Sequence, residues 1–424
     1  MNYDKRTVRS WVLYDFANSI FPAVMTTAVF PLFYVDVIVA EEGGLGDLWW
    51  TRAVSLSALV VAFTSPVLGA IADRSGVRKK FFASYVAVCL VGVALMTTLE
   101  PGMIVAGFVF FVIANVGFES AAVFYNAYLP DIASPERLGE VSGRGFGWGY
   151  LGSALGLLLV LPFGLEQGRE LLGVTEEQGY QFIWLTVVAF FFLFSIPAFR
   201  RLPRDGQAEM GIGQAAVLGL GNVRSIAAEV WRIPNLRKFL FAYFFYIDGV
   251  LTIIAMAGVI AGVTFGFSMV GVIVLFLIVQ FSAMAGALAM ARPTDRLGPK
   301  KVLTWVLAMW VAAGVAAYFI QGQTAFYVLA VVAGVGLGTV QSASRAFMAS
   351  LIPDGREAQM FGFYALCGRS SSVLGPFLFG LVTVWAGGNQ RPGFLLLTAF
   401  FLIGLLLLLR VKDPKAPAAQ GATT

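Results

Sequence analysis

The sequence predicts an all-α membrane protein whose twelve transmembrane helices form two pseudo-symmetric six-helix bundles. Three observations predict this fold class. Hydrophobic residues make up 58% of the chain and charged residues only 12%, whereas a soluble domain carries roughly 25% charged residues. Twelve apolar runs are long enough to cross a bilayer, which takes about 20 residues each. Finally, one short basic motif occurs twice, about half a chain apart.

The apolar runs set the order of the helices. Their predicted bounds are 11–39, 50–72, 81–99, 103–129, 146–165, 180–199, 239–263, 269–290, 302–320, 325–351, 361–385 and 394–409. A polar stretch separates the sixth run from the seventh, and its residues 222–233 have the pattern of a short amphipathic surface helix. We therefore predict an N-terminal bundle at 1–200, a cytoplasmic linker at 201–235, a C-terminal bundle at 236–412 and a disordered tail at 413–424.

The repeated motif indicates that the two halves arose by internal duplication. The segment GAIADRSGVRKK begins at Gly69, and a shorter version, TDRLGPKK, begins at Thr294. Their aspartates, Asp73 and Asp295, are 222 positions apart (295 − 73). Two looser matches keep nearly the same offset, at 129–131 with 352–354 and at 152–156 with 371–375. Ordered matches at one offset predict that both copies lie on the same side of the membrane.

The distribution of basic residues sets the orientation. Loops on the side of the N-terminus carry nearly all the lysines and arginines that lie outside the spans, whereas the opposite loops carry only Arg169 and Arg391 together with several acids. Because cytoplasmic loops are enriched in Lys and Arg, we expect a multi-pass protein of the bacterial cytoplasmic membrane with both termini cytoplasmic. The net charge of +5 is read as a topology signal, and no nucleic-acid partner is expected.

The composition also narrows the chemistry. Histidine is absent, so proton handling would fall to carboxylates, and a histidine-based metal site is excluded. The two cysteines, Cys89 and Cys367, lie in apolar runs, which argues against a disulfide framework. No phosphate-binding loop, dinucleotide fingerprint, zinc spacing or nucleophile elbow occurs in a usable context. We therefore expect no cofactor, no metal and no enzymatic activity.

The motif GAIADRSGVRKK is similar to the loop signature of the major facilitator superfamily, which follows the second span there as it does here. The segments YDFANSIF (14–21), YNAYLPD (125–131), YIDGV (246–250) and QSASRAF (341–347) resemble the vacuole-effluxer-like branch, which includes the autophagy-related vacuolar amino-acid permeases of fungi. This resemblance covers the whole chain and implies the major facilitator fold, alternating access and a small polar substrate, with amino acids first.

The resemblance also implies a conformational latch, meaning contacts that form in one access state and break in the other. In such proteins the loop aspartate braces the inner end of span 11, and loop bases pair with nearby acids. The second copy departs from the pattern because Ala291 replaces its first glycine, which puts its switching role in doubt. The alternative is that these loops only set topology. The latch residues are Gly69, Asp73, Arg74, Gly76, Arg78, Asp295 and Arg296.

Ionisable residues inside the apolar runs are the candidates for the transport site, because each costs roughly 2.5–3.5 kcal/mol to insert. They are Asp15, Glu119, Asp248, Arg345 and Arg369, and we expect them to face one water-filled crevice. The acids Asp248 and Asp15 would bind a proton or a substrate amine, and the arginines a substrate carboxylate. The alternative is that the charges only pair with one another, Glu119 with Arg345 first.

Polar residues at helical spacing extend this site along three spans. Asn18 follows Asp15, Asn115 precedes Glu119, and Gln341 precedes Arg345, each three or four residues away on one helix face. These amides could hydrogen-bond the solute.

The expected function is a secondary active transporter of a small polar solute, with proton coupling as a hypothesis and the protein working as a monomer in the lipid bilayer. Alternatives are an exporter of drugs or other metabolites with the same fold, a receptor or scaffold that does not transport, and a membrane-embedded enzyme. Solute-dependent stabilisation and counterflow would separate these classes.

Overall fold

The computed structural model describes residues 4–40, 44–221 and 223–413. Twelve helices in this part of the chain are long and apolar enough to span a membrane, which confirms the predicted fold class. They are α1 (Lys5–Val39), α2 (Leu45–Ser75), α3 (Arg78–Thr98), α4 (Ile104–Ile132), α5 (Leu138–Gly164), α6 (Glu176–Arg201), α7 (Pro234–Phe265), α8 (Gly271–Leu297), α9 (Pro299–Phe319), α10 (Gln323–Leu351), α11 (Glu357–Trp385) and α12 (Arg391–Leu409).

Several helices are longer than the apolar runs that predicted them. Helix α5 begins at Leu138, eight residues before the predicted start, and α8 continues to Leu297 rather than residue 290. The extra turns carry charged side chains such as Glu140 and Asp295, which a hydropathy window excludes. A helix satisfies its own backbone hydrogen bonds, so it can continue past the hydrocarbon region into the headgroup layer.

Helix α1 departs from regular geometry where prolines interrupt it. It is α-helical over Lys5–Asn18 and Phe30–Leu32, and π-helical over Pro22–Ala28 and Phe33–Val39. Proline lacks an amide hydrogen and clashes with the preceding turn, so the hydrogen-bond ladder shifts at Pro22 and Pro31. The C-terminal half of α1 is thereby widened.

Two helix pairs make the most extensive contacts between the N-terminal bundle, α1–α6, and the C-terminal bundle, α7–α12. Helix α2 packs on α11 and α5 packs on α8. A side chain at Gly69 of α2 would collide with the backbone of Ala358 on α11, and one at Gly143 of α5 would lie 2.7 Å from the carbonyl of Ala287 on α8. Small residues therefore allow both pairs to approach closely, as membrane helices require.

The connection between the bundles lies against the end of the molecule that carries the N-terminus. We call this the basic end, because it also holds the basic loops after α2, α4, α6, α8 and α10. The connection contains two helices, Ile212–Gly221 and Val223–Trp231. The second matches the predicted amphipathic helix, except that residue 222 lies outside the described residues, while the first was not predicted. Residues 414–424 of the predicted tail also lie outside the described residues.

Candidate functional site

A buried ion pair joins the two bundles near the basic end. Arg345 of α10 places one guanidinium nitrogen 2.8 Å from the carboxylate of Asp15 on α1. The guanidinium also donates to the hydroxyl of Ser142, 3.0 Å away, and to the side-chain oxygen of Asn126, 3.3 Å away. Arg345 is only 3% exposed, so its charge is compensated entirely by the N-terminal bundle.

Aromatic rings and a glycine shape the space around this pair. The Arg345 guanidinium carbon lies 4.1 Å from the ring centre of Phe146 and 4.6 Å from that of Trp11. A Cβ at Gly145 would collide with the Asp15 carboxylate, so that position must stay small. Ser142 and Asn126 were not predicted as site residues. Asn126 does continue the polar face of α4, which was an available signal.

A second ion pair joins the bundles deeper in the membrane. Arg369 of α11 donates to the carboxylate of Glu119 on α4. The Glu119 side chain is 11% exposed, whereas that of Arg369 is 35% exposed. Each residue lies 12 or 13 positions from the basic-end terminus of its helix, which is roughly 20 Å of helix. The pair therefore lies near the middle of the bilayer and between the bundles, with part of the Arg369 side chain exposed.

The predicted pairing of Glu119 with Arg345 is wrong. Arg345 instead contacts Asn126, which lies seven residues nearer the basic end than Glu119 on the same helix. Seven residues of helix separate these side chains by about 10 Å, which is too far for one guanidinium to reach both. The sequence placed all four charges inside the membrane, but it did not give the relative depths of helices from different bundles.

Asp248 departs from the expected shared crevice. It is 1% exposed and lies where α7 packs on α11, within the C-terminal bundle. Its carboxylate accepts the backbone N–H of Gly375 at 2.9 Å, and it forms no ion pair with a described residue. A Cβ at Gly375 would collide with Thr252 and lie 2.5 Å from the Asp248 carboxylate, so glycine is needed there.

The three predicted amides occupy different surroundings. Asn18 is buried beside Ser19 on α1, and Asn115 donates to the hydroxyl of Ser57 on α2 at 2.7 Å. Gln341 of α10 accepts from the hydroxyl of Tyr150 on α5 at 2.6 Å. Only Gln341 therefore links the two bundles, while Asn115 joins α4 to α2 within the N-terminal bundle and the contact of Asn18 stays within α1.

The first basic loop makes the contacts that the latch hypothesis requires. Asp73 accepts the backbone N–H groups of Ala358 and Gln359 at 3.1 and 2.8 Å, at the start of α11. These amides lack partners within the helix, and the helix dipole favours a negative charge there. Arg78 extends this contact by lying 2.6 Å from Glu357.

The other residues of this loop support its geometry. Arg78 also pairs with Asp73 and with Asp131, and Arg74 pairs with Glu229 of the linker at 3.2 Å. Gly76 ends α2 in the left-handed conformation, with φ of +63°, which glycine adopts without strain.

The second basic loop repeats the cap despite its altered sequence. Asp295 accepts the backbone N–H groups of Gly139 and Glu140 at 2.7 and 2.6 Å, at the start of α5. Arg296, also predicted for the latch, is exposed at the end of α8. The substitution at Ala291 does not prevent the cap, because Gly143 on the opposing helix provides the room that a second glycine would have given.

These contacts close the basic end. Both aspartate caps and the Asp15–Arg345 pair join opposite bundles there. At the opposite end, the hydrogen bonds found among the described residues stay within one bundle, such as Tyr34 with Ile104 and Thr264 with Gln390. The structure is therefore closed at the basic end.

Comparison with known proteins identifies the family. A family described as "Vacuole effluxer Atg22 like" matches residues 50–421. The chain belongs to this family, within the major facilitator superfamily. An uncharacterized MFS-type transporter of Bacillus subtilis, YxiO, is 31% identical over 95% of this chain and 94% of its own length. Autophagy-related protein 22 of Coccidioides immitis is 23% identical over 86% of this chain and 73% of its own length.

Solved structures agree on the fold. The human organic anion transporter MFSD10 superimposes with a TM-score of 0.74 at 15% identity, covering 96% of this chain and 100% of its own. The proton:xylose symporter XylE gives 0.75 at 12% identity, covering 97% and 96%. At such low identity the likeness shows the fold alone. This Atg22-like chain is thus an integral, multi-pass transporter of the major facilitator superfamily.

The two aspartate caps give a matched pair of predictions. Replacing Asp73 by asparagine should lower the free energy of unfolding by about 2 kcal/mol, because charge-assisted hydrogen bonds contribute about 1.5–3 kcal/mol. Asp295→Asn should cost a similar amount, because Asp295 accepts two backbone N–H groups at the start of α5 in the same way. Chemical unfolding in detergent measures both values. No effect of either substitution would contradict the assigned contacts.

Proposed function

We propose that this transporter moves a small zwitterionic solute, with amino acids as the leading candidates, by alternating access between its two bundles. The Glu119–Arg369 pair carries this proposal. It supplies a carboxylate from one bundle and a guanidinium from the other at the same depth, and 35% of the Arg369 side chain is exposed. A zwitterion can place its amine on Glu119 and its carboxylate on Arg369, so binding would hold both bundles together.

We further propose that the basic end is cytoplasmic, which makes this conformation outward-facing. The support is the concentration of lysine and arginine in the loops of that end. Opening to the cytoplasm would then require the Asp15–Arg345 pair and both aspartate caps to separate. The bacterial cytoplasmic membrane is the proposed location and a monomer the proposed working unit. The named relatives come from bacteria and from fungi.

A solute screen tests the transport proposal. The purified protein would be heated with amino acids, sugars, peptides and drugs, and each stabilising solute would be tested for counterflow in proteoliposomes. We expect zwitterionic amino acids to raise the unfolding midpoint and to exchange across the membrane. Stabilisation by a drug-like cation instead would favour the exporter alternative. A protein that binds a solute without counterflow would be a receptor.

Asp248 is the proposed proton-coupling residue. It is a carboxylate buried without an ionic partner among the described residues, and an acid is the only side-chain type left for proton handling in a chain without histidine. Its hydrogen bond from Gly375 would weaken when the carboxylate is protonated, and this would link the charge of Asp248 to α11, the helix that carries Arg369.

Removing this carboxylate should uncouple transport from protons. Uptake into wild-type proteoliposomes is expected to rise at least about tenfold with an imposed pH gradient, since one pH unit is worth about 1.4 kcal/mol. Asp248→Asn should remove this dependence while counterflow continues, because counterflow needs only solute exchange. Equal wild-type uptake with and without the gradient rejects proton coupling. If uptake by Asp248→Asn still depends on the gradient, Asp248 is not the proton-coupling residue.

A further inference from the structure

We infer that the groove between α5 and α8 at the basic end is a binding site for the phosphate headgroup of an anionic phospholipid. Three arginines gather there around one carboxylate, that of Glu140. Arg137 and Arg144 place guanidinium nitrogens 2.7 and 2.8 Å from its oxygens, and Arg292 of α8 lies 4.0 Å away. Arg144 and Arg292 each approach Glu140 with one nitrogen, which leaves further N–H groups of both guanidinium groups for a second anion.

The arginines lie on the outer surface rather than in the transport path. Arg144 and Arg292 have 43% and 71% of their side chains exposed. On α5, the residues that face α8 are Gly143 and Gly147, while Gly145 faces the Asp15–Arg345 pair. Successive side chains of a helix point about 100° apart. Arg144 therefore points away from both α8 and the Asp15–Arg345 pair, toward the membrane.

The same faces continue as apolar surface toward the middle of the bilayer. On α5, Trp148 and Leu155 follow Arg144 at four and eleven residues and are 47% and 39% exposed. On α8, Leu288 and Phe281 precede Arg292 at four and eleven residues and are 41% and 48% exposed. This spacing is one helix face. Arginines at headgroup level with an apolar groove beneath them complement the charged headgroup and the apolar chains of one phospholipid molecule.

The internal duplication provides an independent argument. The related groove between α2 and α11 is covered by the linker helices, whose Ala215 and Ile226 are buried against Val67, Ala70 and Ile71 of α2. The linker carboxylate of Glu229 lies 3.2 Å from Arg74 and 2.7 Å from Gln359. That groove is thus occupied by apolar side chains together with an anion.

The α5–α8 groove has the matching positions but arginines in place of apolar residues. Glu140 corresponds to Gln359, and Arg144 to Phe363, at an offset of 219 (359 − 140). Arg292 corresponds to Ala70 at 222 (292 − 70). The aspartate caps show that these offsets pair equivalent positions in space. A lipid with a negative headgroup and apolar chains would fill the α5–α8 groove with an anion and apolar groups, as the linker does in the α2–α11 groove.

The test compares lipid binding to the full-length protein and to charge variants. Native mass spectrometry would follow phosphatidylglycerol bound during titration, with phosphatidylcholine and inorganic phosphate as separate probes. We expect preferential binding of phosphatidylglycerol. Arg144→Gln combined with Arg292→Gln should weaken that binding about 30-fold, since each basic residue near an anionic membrane surface contributes about a factor of five. The double lysine variant should retain most of it.

A second double variant removes the same charge elsewhere at the basic end. Arg200→Gln with Lys301→Gln changes two exposed cations outside the groove and should leave phosphatidylglycerol binding unchanged. Equal losses in both double variants, or none in the groove variant, would overturn the site. Competition by millimolar inorganic phosphate alone would identify free phosphate rather than lipid as the ligand. If the double variant does not fold, Arg292→Gln alone gives the same decision.

Discussion

Replacing Arg345 by alanine is expected to lower the free energy of unfolding by about 3–5 kcal/mol and to open the basic end. Asp15 is 8% exposed, so the substitution would leave a carboxylate buried without its cation. The hydrogen bonds to Ser142 and Asn126 would be lost at the same time. Because every one of these contacts joins opposite bundles, the conformation closed at the basic end loses stability relative to the open one.

The expected opening can be measured as a distance. Spin labels at positions 80 and 354 lie at the basic end on different bundles, in a protein whose two cysteines are replaced by alanine. Their separation should lengthen in Arg345→Ala. The matched control, Arg200→Ala, removes an exposed cation at the same end and should change stability by less than about 0.5 kcal/mol.

A charge-neutral double variant isolates the ion pair itself. Asp15→Asn combined with Arg345→Gln removes both charges while keeping groups that can hydrogen-bond. It should cost less than Arg345→Ala, since no buried charge is left without a partner. A double variant as unstable as Arg345→Ala would mean that packing around the side chains, rather than their charge, holds the bundles together.

Glu119→Gln is expected to reduce transport about 10- to 100-fold. The substitution preserves shape but removes the charge that pairs with Arg369, and hydrogen bonds to charged groups contribute about 1.5–3 kcal/mol. The same loss should weaken solute-dependent stabilisation, because the proposed amine contact is gone. Initial uptake rates and thermal shifts at several solute concentrations would measure both effects.

Exchanging the two charges separates a binding role from a structural one. Glu119→Lys with Arg369→Glu restores an ion pair between the bundles, so unfolding should return close to the wild-type value. Transport should stay low, because each end of a zwitterion would meet the wrong bundle in the surrounding site. Recovery of transport would assign the pair to bundle contact only. Arg52→Gln, an exposed charge far from the pair, should remain within twofold of wild type.

The sequence predicted some contacts of the basic end because they repeat within the chain. Asp73 and Asp295 stand at corresponding points of a duplicated motif, and both cap a helix of the opposite bundle. The altered residues of the second copy suggested a weakened contact, yet its cap is present with the same geometry. A backbone amide is the partner in each case, and backbone amides are available whatever the local side chains are.

The pairing of buried charges could not be predicted in the same way. Arg345 and Asp15 are 330 residues apart, and Arg369 and Glu119 are 250 apart. Hydropathy and helical spacing identify the helix and face of each charge, but a salt bridge also requires equal depth and facing rotation. The predicted pairing of Glu119 with Arg345 was wrong because these depths and rotations were unknown. The contact of Asp248 with Gly375 had no signal in the sequence.

The sequence by itself determined the membrane class, the twelve helices, their division into related halves and the few charges inside them. These properties follow from local composition and from repetition along the chain, which need no knowledge of distant contacts. Only the tertiary structure decided which charges meet, which end of the molecule is closed, and that the linker covers one of two related grooves. Those outcomes depend on how helices from different bundles are set in depth and rotation, and close packing fixes both only when all twelve helices are assembled.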